Sequence, residues 1–130
     1  WHMSFSFWLR DYVFAPTNLA IGRRWLLPPM FAAVPALLLT MLLCGLWHGY
    51  AAGFLIWGMH HGVGLSGHRI YQRWIQKRLG RKRYRQLSKR RAYQRLGQLV
   101  TFIYVSVGWC WFVWPVDRAL VGLARMVGLN

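Results

Sequence analysis

Forty-four consecutive residues between Arg24 and Arg69 contain no Asp, Glu, Lys or Arg, and a second charge-free run of 21 residues lies between Arg95 and Asp117. At about 20 residues per bilayer crossing, the first run is long enough for two spans and the second for one. A chain of 130 residues that is 56% hydrophobic, with nine Trp, six Tyr and seven Phe, carries more apolar surface than a water-soluble domain of this size can bury. The expectation is an all-α integral membrane protein.

Charge divides the chain further. Twelve of the 17 basic residues fall between Arg69 and Arg95, and Asp11 and Asp117 are the only acids. Within that segment Arg69, Arg73, Lys77, Arg81, Arg85 and Lys89 recur at i,i+4, where like charges repel along a helix face by about 0.2–0.5 kcal/mol per pair. Such a helix needs an anionic surface, and Ile70, Trp74, Ile75 and Leu79 give it an apolar edge suited to lipid headgroups. Spans on both sides tether it to a bilayer, which argues against a nucleic-acid arm. The excess of Lys and Arg makes residues 69–95 a cytoplasmic loop, and two crossings earlier Arg23 and Arg24 share that side.

Five segments follow, all within one membrane module. Residues 1–24 read as an interfacial helix, with Trp1, Phe5, Trp8, Leu9 and Tyr12 at helical spacing, followed by a loop marked by Pro16, Asn18 and Gly22. Residues 25–68 hold two spans: Met30 to Trp47, roughly 27 Å as a helix, and a looser one from Gly49 to Gly67. The glycines Gly45, Gly49 and Gly53, and likewise Gly58 and Gly62, are spaced by four, the pattern of close helix packing in lipid. Residues 69–95 form the basic helical loop, residues 96–116 a third span ending in Trp109, Trp111, Phe112 and Trp114, and residues 117–130 a short helix over 118–128 capped by Asp117. Cys44 and Cys110 lie in apolar spans as small packing residues. No signal peptide is legible, and the opening at Trp1-His2 reads as a piece of a longer bundle.

Within the apolar stretch 41–62, "MLLCGLWHGYAAGFLIWGMHHG", stand His48, His60 and His61, with His68 just beyond. Ionisable groups at membrane depth are costly and mark function, with a neutral His that hydrogen-bonds between helices as the structural alternative. A neutral imidazole offers a lone pair that accepts a proton, so His48 suits general-base chemistry. Neither a Ser-His-Asp set nor a Gly-x-Ser-x-Gly elbow is present to supply a nucleophile. Zinc is disfavoured, because no Asp or Glu lies near the histidines and His48 and His61 stand about 220° apart around one helix. Haem held by His48 and His61 is the sharper rival, and it requires a helix break near Gly49–Gly53.

Four motifs in order carry a family resemblance. Trp1-His2 matches the end of a Trp-Asn-Arg-Trp-His element, and "SFSFWLRDYVFAP", Ser4 to Pro16, matches Ser-x-x-x-Trp-Leu-Arg-Asp-Tyr-Val-x-x-Pro. "GLWHG", Gly45 to Gly49, and "WGMHHG", Trp57 to Gly62, follow, with His48 placed 46 positions after His2. The chain resembles the C-terminal part of membrane-bound O-acyltransferases, in the bacterial branch of D-alanyl transfer and alginate O-acetylation. It departs in having Trp114-Pro115 where relatives often show Phe-Arg, and residues 109–130 are assigned no site.

The resemblance implies a catalytic His48 and a second histidine, His2, facing one membrane tunnel, and a structural role for His61. It implies transfer of an acyl group from a thioester, on coenzyme A or an acyl-carrier protein, to a hydroxyl of an extracytoplasmic cell-surface polysaccharide, with no permanently bound cofactor. The setting implied is the bacterial cytoplasmic membrane, with lipids as partners and the donor docking near the basic loop. The enzyme would be the intact parent protein, the isolated 130 residues being inactive; a truncated remnant that inserts without catalysing is the remaining alternative.

Overall fold

The computed structural model describes residues 3–26, 28–126 and 128, and every regular element among them is helical. In order these are α1 (Met3–Trp8), a π-helical segment (Leu9–Phe14), α2 (Ala15–Trp25), α3 (Pro29–His48), α4 (Ala52–Ser88), α5 (Arg91–Val113) and α6 (Val116–Met126). The chain divides into two compact units, Trp1–Ser66 and Gly67–Asn130, with the division inside α4.

In the first unit, helix runs without a break from Met3 to Trp25, so the loop expected at Pro16–Gly22 is absent. Proline ends a helix when its missing N–H and its ring disturb the preceding turn. Here Pro16 sits in the first turn of α2, where the N–H has no intrahelical role. The turn before it is widened, the Ala15 N–H reaching back five residues to the Arg10 carbonyl. Arg10 pairs with Asp11 on the exposed side, Nε to Oδ1 at 2.7 Å, while Leu9 is buried.

α3 extends for 20 residues, about 30 Å, which matches the hydrocarbon thickness of a bilayer. α3 from Met30 and α5 are the two helices among the described residues that are long and apolar enough to cross a membrane. The segment expected as the second span forms the first part of α4, where Gly53, Gly58, Gly62, Gly64 and Gly67 together with His60 and His61 dilute the apolar content.

Small residues fill the interior of the first unit and large ones its exterior. Ala32, Ala33, Ala36, Thr40, Gly53, Gly58, Gly62 and Ser66 are buried, whereas Phe31, Leu39, Leu43 and Trp47 are exposed. The Thr40 hydroxyl is satisfied within its own helix, donating to the Ala36 carbonyl at 2.6 Å. Contacts between α3 and α4 run in opposite directions along the two sequences. A Cβ on Gly62 would lie 3.2 Å from the Leu38 Cα, one on Gly58 would run into the Met41 carbonyl, and one on Gly45 into the Phe54 carbonyl. The two helices therefore form an antiparallel pair whose backbones touch, as the spacing of Gly58 and Gly62 predicts; the series Gly45, Gly49, Gly53 does not lie on one helix, because Gly49 falls in the turn between α3 and α4.

The second unit changes the picture of the basic segment. Instead of a separate loop, residues 69–95 comprise the end of α4, a turn at Lys89–Arg90 and the start of α5. Gly80 (φ 76°, ψ 155°) breaks α4, and the Tyr71 and Tyr93 hydroxyls lie 3.3 Å apart. A straight helix from Tyr71 to Ser88 followed by a simple reversal would separate these residues by roughly 20 Å along the axis, beyond the reach of two tyrosines. Residues 81–88 must therefore fold back toward 71, which interrupts the expected basic stripe at Gly80. The side-chain amide of Gln94 donates to the Ser88 carbonyl at 3.0 Å and closes the turn.

α5 starts at Arg91, five residues before the span predicted over 96–116, because Arg and Gln are good helix formers and leave the helix no reason to stop at the charge boundary. It ends at Val113, and α6 begins at Val116 instead of 118. The expected cap is corrected too: Asp117 lies in the first turn of α6, where its charge suits the helix dipole, and the Pro115 carbonyl accepts the first helical bond from the Ala119 N–H at 2.9 Å.

Candidate active site

His48 is the last residue of α3. The next residue, Gly49, has φ 151° and ψ 174°, a conformation open in practice to glycine alone, and its N–H turns back to the Leu46 carbonyl at 3.1 Å. After the exposed Tyr50, the Ala51 carbonyl accepts the Phe54 N–H at 3.0 Å and α4 begins. Residues 49–51 thus reverse the chain in a tight turn, and 45–53 is not a kinked continuation of one helix. His48 stands at that turn, at the end of α3 where free carbonyls make the helix dipole negative.

Aromatic rings surround it. Its ring is 4.9 Å from Trp47 and 5.3 Å from Trp57, edge to face at 78° and 83°, and 6.2 Å from Phe54. Two further contacts brace these neighbours. Phe5 of α1 lies against Trp47 at 4.7 Å, and His61 lies against Trp57 at 4.6 Å with a tilt of 39°. His60 touches His61 at 5.5 Å. Beyond Phe5 the row continues through Trp8, at 6.4 Å, to Tyr12, 5.7 Å further.

His61 Nδ1 is 3.0 Å from the Trp57 carbonyl oxygen. A carbonyl has no hydrogen to give, so Nδ1 is the donor, and in the neutral ring Nε2 keeps the lone pair.

Of the histidines singled out by sequence, the structure brings His48 and His61 against Trp57, with His60 against His61. His68 is exposed and belongs to the second unit. His2, the second expected catalytic residue, lies outside the described residues. Among the described residues no three His, Cys, Asp or Glu side chains come together as a metal-holding group. The helix break that haem ligation required is present, yet what it brings against His48 is the Trp57 indole, which His61 also contacts.

Sequence reasoning missed Phe5, Trp47, Phe54 and Trp57 as the walls of this site. A signal existed: once the chain reverses after His48, Phe54, Trp57 and His61 recur three and four residues apart on one face of the incoming helix.

Comparison with known proteins bears on the same residues. A family model described as MBOAT, membrane-bound O-acyltransferase family, matches residues 1–111. A teichoic acid D-alanyltransferase of Bacillus subtilis (strain 168) is 32% identical over 109 residues, covering 83% of this chain and 26% of the relative. A peptidoglycan O-acetyltransferase of Helicobacter pylori is 33% identical over 131 residues, covering 100% of this chain and 22% of the relative. A probable alginate O-acetylase AlgI of Pseudomonas aeruginosa is 36% identical over 112 residues, 86% of this chain and 18% of the relative. The chain thus spans about a quarter or less of the length of these curated relatives.

Proposed function

The chain belongs to the membrane-bound O-acyltransferase family, and we propose that it is the part of such an enzyme that supplies the general base, His48. The three relatives are named for acyl transfer to polymers of the cell envelope, and the reading extends that reaction class to the protein carrying this chain.

An acceptor hydroxyl attacks the carbonyl carbon of a thioester. The new C–O bond forms as the C–S bond breaks; the hydroxyl proton passes to His48 and from there to the departing thiolate. A thioester is already activated, so the reaction needs closeness and a base, and no enzyme nucleophile. A well-placed base contributes about 10²–10⁴-fold, or 3–5 kcal/mol of barrier. His2 is the second histidine of the pair in this reading. The acceptor is a glycan outside the cytoplasmic membrane, the donor is coenzyme A or an acyl-carrier protein, and the basic residues 69–95 form the cytoplasmic face at which an anionic donor docks.

The observation that carries this reading is the placement of His48: a half-buried imidazole at a helix end, beside a three-residue turn, walled by Trp47, Phe54 and Trp57. The test replaces His48 by Ala in the full-length protein and follows ester-linked acyl groups on the envelope polymers of cells that depend on it. Acylation should vanish while protein abundance in the membrane stays normal; acylation retained at the wild-type level overturns the assignment.

A further inference from the structure

We propose that His61 is a positioning residue for His48, acting through Trp57 as a brace and carrying no proton itself. The inference rests on His48 being the base.

The geometry runs in three steps along one side of the site. The Nδ1 hydrogen bond to the Trp57 carbonyl, 3.0 Å, fixes the orientation of the His61 ring on α4. That ring lies against the Trp57 indole with 4.6 Å between centroids. The indole in turn meets His48 edge to face at 5.3 Å and 83°. Trp57 and His61 are one helical turn apart, so they move as a unit with α4, whereas His48 ends a different helix at a turn of only three residues. Trp57 supplies one wall of the His48 site, and the His61 ring packed on the indole limits how far that wall can shift.

The hydrogen bond leaves Nε2 of His61 with a lone pair, but what joins the two imidazoles is packing on the Trp57 indole, whose ring carbons offer a proton no path. Placement matters because a displacement of about 1 Å in a catalytic group can cost 10²-fold in rate.

Three substitutions separate a brace from a relay. His61→Phe keeps a ring against Trp57 and has no proton to move; His61→Ala removes both; His61→Asn keeps a donor near Nδ1 but no ring. Two readouts are used. The first is the rate at which diethyl pyrocarbonate modifies His48 in the purified full-length protein in detergent, followed by mass spectrometry with fragment ions that separate His48 from His60, His61 and His68. The second is ester-linked acyl content in cells carrying the full-length variants, normalised to protein abundance.

With a brace, His61→Ala and His61→Asn raise the modification rate of His48 severalfold and lower acylation about ten- to a hundredfold, while His61→Phe restores most of both. An unchanged modification rate in all three variants overturns the proposal, as does a His61→Phe variant that is normally abundant yet as inactive as His61→Ala, or full rescue by His61→Asn. If instead His48→Ala itself retains acylation, the base assignment fails, and the modification rates still report whether the brace exists.

Discussion

Gly49 faces the ring of Phe54 with room for a hydrogen and for nothing larger: a Cβ there would stand 2.8 Å from Cε2 and 3.0 Å from Cδ2. The same residue has a backbone conformation that side chains avoid, so two independent constraints fall on the residue that follows His48.

Gly49→Ala should therefore harm the site and the fold together. The backbone term alone is about 1–3 kcal/mol, and displacement of Phe54 moves a wall of the His48 site. Thermal unfolding in detergent should show the loss of stability, and acylation should fall further than protein abundance does.

The seam between α3 and α4 makes a graded prediction. Gly45→Ala and Gly58→Ala force backbone apart, since each new methyl meets a carbonyl of the facing helix, and each should cost about 1–3 kcal/mol. Gly67→Ala and Gly97→Ala meet nothing within 4 Å and lie in helices, so they should be neutral or stabilising by up to about 1 kcal/mol. Melting midpoints of the four variants in one detergent decide the matter.

At Gly80 the constraint is conformational only, because a Cβ would have open space around it. Gly80→Ala should cost about 1–3 kcal/mol locally and release the fold-back of residues 81–88. Hydrogen exchange across 81–88 should speed up. Tyr71→Phe, which removes one hydroxyl of an exposed pair, should change stability by about 0.5 kcal/mol or less.

Phe5→Ala tests the other side of the site. It removes the ring that backs Trp47, so acylation should drop with only a modest loss of stability, since Phe5 is half-buried. The quantity to measure is acylation per unit of protein in the membrane.

Arg10 and Asp11 supply a contrast. The guanidinium hydrogen bond holds the Asp11 carboxyl below its ordinary range, so whatever the pair contributes is present above that range and lost as pH falls through the lowered value. Both side chains are open to solvent, where such pairs add little. Asp11→Asn should leave the melting midpoint unchanged at neutral pH.

What could be read from sequence was whatever depends on composition over a long window. The apolar runs located α3 and α5, and the spacing of Gly58 and Gly62 anticipated a seam between helices, whereas Gly49 of the other expected series went to the turn. Features decided by a single backbone choice were not legible. Pro16 reads as a breaker unless the turn before it widens, and nothing in residues 9–14 announces a π turn. Gly80 looks like any helical glycine until its φ turns positive, and with it the basic stripe stops being one stripe. Gly49 was the intermediate case: a glycine after His48 allowed both a kink and a turn, and the choice between them decided that Trp57 would meet His48.

The backbone contact between α3 and α4 also bears on how such a protein diversifies. Where Gly45 and Gly58 meet the carbonyls of the facing helix there is no room for a side chain, so substitutions at those two positions can only damage the seam. Phe31, Leu39, Leu43 and Met59, by contrast, are exposed in this unit. What holds the turn that carries His48 is thus backbone against backbone, a contact that a change of side chains elsewhere on the hairpin leaves in place.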